Sequence, residues 1–84
     1  MSGKLSDVDR NEAMKIAQFV VENGRVQSKG GEFNPASMEA EVDFEAGERG
    51  IDSTTAAEMA KYAARTVHGC SAYSAANAAW LDCR

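Results

Sequence analysis

The chain has 84 residues, 44 % of them hydrophobic and 26 % charged, with one proline and a net charge of −4. That length admits a single domain over residues 1–84 with one core, and the apolar content excludes an intrinsically disordered tail. No apolar run approaches the ~20 residues of a membrane span, and Met1–Leu5 lacks the apolar stretch of a signal peptide, so a cytoplasmic protein with no membrane partner is expected.

A first helix is predicted over about 6–22. Ser6 with Asp9, or Asp9 with Glu12, supplies a cap and a carboxylate three residues on. Ala13, Ile16, Ala17, Phe19, Val20 and Val21 form its apolar side, and Asn23-Gly24 closes it, because both residues tolerate the left-handed backbone of a helix end. Between Arg25 and Asn34, Gly30-Gly31 interrupts any long element and only Val26 and Phe33 are substantial apolar side chains, which reads as a loop or short hairpin.

Residues 35–46 carry two opposed signals. Met38, Ala40, Val42, Phe44 and Ala46 alternate with Glu39, Glu41, Asp43 and Glu45, the period of a strand with one acidic face. Ala, Met and Glu are nevertheless helix formers, Asn34-Pro35 is a cap followed by a favoured first helical residue, and Gly47 offers a stop. Helix is the expectation. A lone strand of that length would also lack partners, since the only candidates lie in the short glycine-rich stretch before it.

A third helix is predicted over about 54–68, with Asp52 and Thr55 as overlapping cap signals and Ala56, Met59, Ala60, Ala63 and Val67 as one stripe. A short fourth helix within 71–82 carries Tyr73, Ala76 and Trp80 on one side. Ten alanines between Ala56 and Ala79 would let the last two helices approach closely around Gly69-Cys70. The fold class is therefore all-α, a small bundle of three to four short helices with a glycine-rich loop after the first. The alternative is α+β with a short antiparallel hairpin or sheet in 25–46.

Candidate chemistry is sparse. His68 sits near a helix end, where a cation compensates the helix dipole, and its spacing from Cys70 secures no nucleophile–base contact. His68, Cys70, Asp82 and Cys83 lack the paired spacing of a zinc site. Cys70 and Cys83, thirteen residues apart in mostly helical chain, stand up to ~20 Å from each other at 1.5 Å per residue, too far for a disulfide. Ser28-Lys29-Gly30-Gly31 is not a phosphate loop. No catalytic residue, metal site or cofactor is expected, and the protein is not read as an enzyme.

Charge distribution is the most unusual feature. Residues 32–52 hold seven acids against one base, Arg49, giving this quarter −6 and leaving +2 for the rest. Such a chain lacks the clustered Lys and Arg that phosphate binding requires, so no direct nucleic-acid contact is expected. Glu39, Glu41, Asp43, Glu45 and Glu48 form either a solvated face or a binding face for a protein partner with a basic surface. In size and charge the chain is similar to the small inhibitors that phages direct against host nucleic-acid machinery, anti-CRISPR proteins among them. That likeness implies an inhibitor or adaptor that engages a nucleic-acid-binding partner. A helical dimerisation or scaffold module, and hence a homodimer, is the alternative; a metal protein or enzyme built on His68, Cys70 and Cys83 is a third.

Overall fold

A computed structural model of the chain describes residues 5–68. The first helix, α1 (Asp7–Glu22), begins where the Ser6 hydroxyl accepts the Asp9 N–H at 3.1 Å. Ala13, Ile16, Ala17 and Val20 are its buried residues. Phe19, expected on the apolar side, is instead 39 % exposed, because it lies beside that four-residue stripe and stacks with Arg49.

α1 ends by a Schellman closure. Gly24 adopts φ 67°, the Gly24 N–H donates to the Val21 carbonyl at 3.0 Å, and the Arg25 N–H donates to the Val20 carbonyl at 2.9 Å. This closure fixes the direction in which Arg25 leaves the helix.

The glycine-rich stretch is a short antiparallel hairpin of β1 (Ser28–Lys29) and β2 (Glu32–Phe33), in the register Ser28 to Phe33 and Lys29 to Glu32. Gly30 and Gly31 both have positive φ, 63° and 85°, as a two-residue turn of matching twist demands. Two strands of two residues are not stable alone. This hairpin is held because Phe33 is buried against the helices and the Gln27 N–H donates to the Ser37 hydroxyl at 2.9 Å.

Residues 35–48 form α2 (Pro35–Glu48), capped by the Asn34 side chain, which accepts the Ala36 N–H at 3.0 Å. Helix propensity and capping therefore prevail over the alternating pattern. Met38, Val42 and Ala46 are fully buried, whereas Ala40 and Phe44, their companions in the alternation, are exposed. Gly47 does not stop the helix as expected. The stop is Gly50 at φ 86°, where the Gly50 N–H donates to the Gly47 carbonyl and the Ile51 N–H to the Ala46 carbonyl, both at 3.1 Å. The side chain of Ile51 packs on the core beside that closure.

α3 (Ser53–Val67) starts at Asp52, whose carboxylate accepts the Thr55 N–H at 3.0 Å. Its buried face holds Ala56, Met59, Ala60, Ala63, Ala64 and Val67. The core is one cluster to which all three helices contribute; among the described residues Phe33 of the hairpin is its only buried aromatic ring, and the half-buried Tyr62 packs against it. The expected fourth helix, Trp80 and both cysteines lie outside the described residues.

Candidate functional site

On a strand, Glu39, Glu41, Asp43 and Glu45 would share one face. On α2, with 3.6 residues per turn, they divide into two pairs on opposite flanks of the buried Met38–Val42–Ala46 stripe.

Glu41 and Glu45 lie toward the start of the hairpin segment. There Arg25 reaches both: its Nε donates to Glu41 Oε1 at 2.9 Å and its Nη1 to Glu45 Oε1 at 2.8 Å. Arg49, at the C-cap of α2, donates from Nε to the other oxygen of Glu45 at 3.1 Å and sits 3.5 Å from Glu12 of α1. Glu45 is thus shared by two guanidinium groups, with its side chain 14 % exposed. These pairs join α1, the segment leading into the hairpin, and α2. The two arginines also lie over aromatic faces, Arg25 at 5.7 Å from the centre of the Phe44 ring and Arg49 at 5.1 Å from that of Phe19.

The electrostatic consequences follow from these bonds. The Arg25 guanidinium first, then Arg49, holds the Glu45 carboxyl below its ordinary range, and Glu45, then Glu41, raises Arg25 in turn. Asp52 is also lowered, chiefly by the Thr55 N–H that it caps. A carboxyl with a depressed folded-state pKa contributes stability above its unfolded value and loses that contribution as pH falls through the folded one. Thermal stability should therefore decline below about pH 5, where carboxyls begin to protonate. Arg25→Gln removes the main cause acting on Glu45. Its melting temperature should lie below the parent's at neutral pH and converge on it in acid. Two curves that stay parallel from neutral to acid would show that the Arg25 pairs carry none of the acid sensitivity.

Glu39, Asp43 and Glu48 are in a different state. All three are exposed, and among the described residues none has an ion-pair partner within 4.0 Å. Between them the outer face of α2 carries Ala36, Ala40, Gly47 and Phe44, the last 62 % exposed. Of the five acids singled out in the sequence, two therefore brace the fold and three are displayed. Sequence reasoning missed Arg25, which pairs across 16 and 20 residues, and missed Phe44, which the alternation assigned to the inside. The signal for Phe44 was available: Met38, Val42 and Ala46 at i, i+4 and i+8 already complete a helical stripe without it.

His68 lies at the C-cap of α3 and is exposed. Among the described residues no three His, Cys, Asp or Glu side chains are grouped to hold a metal ion, and no helix is long and apolar enough to cross a membrane. No family model matches the chain, no curated protein matches its sequence and no solved structure matches its fold.

Proposed function

We propose that the protein is a small binding module, an inhibitor or adaptor, whose α2 docks on a basic surface of a nucleic-acid-binding protein. The observation that carries this reading is Phe44, a large ring 62 % exposed on a helix whose displayed charges are all acidic. Aromatic side chains set among polar neighbours serve as anchors at interfaces. The Arg25 guanidinium lies against the Phe44 ring and is itself held by two carboxylates, so the ring is supported before a partner arrives. Such preorganisation lowers the ordering cost of association. Ala36, Ala40 and Gly47 project little from the same face, which leaves room for a partner to approach the helix closely. Glu39, Asp43 and Glu48 then meet the Lys and Arg that such a partner ordinarily offers to phosphate, giving fast, salt-sensitive association. No catalytic step and no cofactor belong to this reading.

The test begins with affinity capture from the source cell on the immobilised protein, followed by measurement of the captured partner's Kd and association rate. Phe44→Ala should weaken the complex by about 30-fold, the loss of one anchor worth roughly 2 kcal/mol. The triple variant Glu39→Lys, Asp43→Lys, Glu48→Lys should associate more slowly and lose most of its salt dependence. If both variants fold and bind with the parent's affinity and salt response, the α2 surface is only solvated and the reading is wrong.

A further inference from the structure

A second face of the molecule combines charges of both signs. The N-terminal half of α2 and the C-terminal half of α3 border a shallow groove of about 510 Å³, with Pro35 and Ala64 beneath and Glu39, Lys61, Arg65 and His68 around it. The acid stands on α2, and the bases stand on α3 at i, i+4 and i+7. Lys61 and Glu58 approach at 4.0 Å, and among the described residues Arg65 has no ion-pair partner, although it borders the same groove as Glu39.

We infer that this groove is a self-association surface that takes a second copy of the same chain. In a two-fold interface every contact between positions i and j occurs twice, so a face that pairs with itself must carry both members of each complementary pair. This face does. A two-fold axis running along the groove, in the plane between the copies and parallel to the helices, lays α2 of each copy over α3 of the other at the same height. Glu39 of one copy then stands opposite Lys61 and Arg65 of the second, and the arrangement repeats with the roles exchanged. The outer face of α2 around Phe44 would not serve for this, because its displayed charges are all acidic and would repel themselves. Phe44 lies five residues from Glu39, about 140° around the helix, so the dimer leaves it open. Glu39 borders both faces, but the monomer–dimer equilibrium is read without the proposed partner and Arg65→Glu leaves α2 unchanged, so the failure of the dimer and the failure of the proposed function are distinguishable.

Sedimentation equilibrium of the full chain tests it, over concentrations up to about 1 mM, the weak end of specific association. The parent should shift with concentration from 9.0 kDa toward twice that mass, and less so at high salt, which screens exposed pairs. Arg65→Glu and Glu39→Arg should each weaken the dimer by at least about tenfold, since each reversal acts twice across the axis. Their combination should restore it, because the pair is then present with its signs exchanged. Circular dichroism confirms folding, and where a variant fails that check the exchange Glu39→Lys with Lys61→Glu takes its place. Three results would overturn the inference: a mass of 9.0 kDa at every concentration, a dimer that the single reversals leave unchanged, or a folded double variant no better associated than either single one. The first points to an anion or an acidic segment as the occupant of the basic side, and the second to another face.

Discussion

Val42→Asp is expected to unfold the domain, while Ala40→Glu, two residues away, leaves it folded. Val42 is fully buried between Met38 and Ala46 on the inward stripe of α2, and among the described residues no buried one is a cation that could meet a carboxylate there. An unpaired charge in such a place costs several kcal/mol even after the surroundings relax. At 0.05–0.15 kcal/mol per residue, a chain of this length has a total stability of only about 4–13 kcal/mol. Ala40 is exposed, so glutamate there should change stability by no more than about 0.5 kcal/mol. Phe44→Ser should cost about 1 kcal/mol, through loss of the stacking with Arg25. A strand in this segment would give another order, with Ala40, Val42 and Phe44 all sensitive because all would face inward. Far-ultraviolet circular dichroism melts of the three variants distinguish the two patterns.

How much could be read in advance depended on the range of the interactions. The caps are local, and Ser6, Asn34 and Asp52 each hold the helix start that their residue type suggests. The α3 stripe is local too, and Ala56, Met59, Ala60, Ala63 and Val67 are all buried as its spacing requires. In α2 two local signals conflicted. The alternation had no long strand to pair with, whereas Asn34, Pro35 and a run of helix formers needed no distant partner, so the local preference prevailed. Gly47 misled because a glycine inside a helix costs only about 1 kcal/mol, while a Schellman closure needs a residue at positive φ followed by an apolar one. Gly50-Ile51 supplies both.

The division of the acidic run was not legible, because it depends on where two arginines come to lie in three dimensions. Arg25 follows Gly24, and the closure of α1 sends it toward α2. Arg49 is the C-cap residue of α2, from which it reaches back one turn to Glu45 and across to Glu12. Counting charge over residues 32–52 gives −6, but it omits Arg25 altogether, which lies outside that window and neutralises its most buried members.

A lysine at position 45 should therefore be far more damaging than its place in an acidic surface run suggests. Glu45→Lys removes the acceptor from Arg25 and Arg49 together and sets three cations against one another at the junction of α1, α2 and the hairpin segment. Glu41 alone cannot compensate, since among the described residues it pairs only with Arg25. The loss should appear as a large fall in melting temperature at neutral pH and low salt, partly recovered as salt screens the repulsion. Arg25→Gln in the same chain should recover part of it as well, because it removes one of the opposed cations.

The acidic run of α2 is two sets of residues, one that braces the fold and one that is displayed. Thermal melts of the five single reversals, Glu39→Lys, Glu41→Lys, Asp43→Lys, Glu45→Lys and Glu48→Lys, at one pH and ionic strength, test this division most directly. The predicted result is a clear fall for Glu41→Lys, a larger one for Glu45→Lys, and melting temperatures close to the parent's, or above it as the net −4 charge is relieved, for the other three. An even response at all five positions, or the largest losses at Glu39 and Asp43, would contradict it.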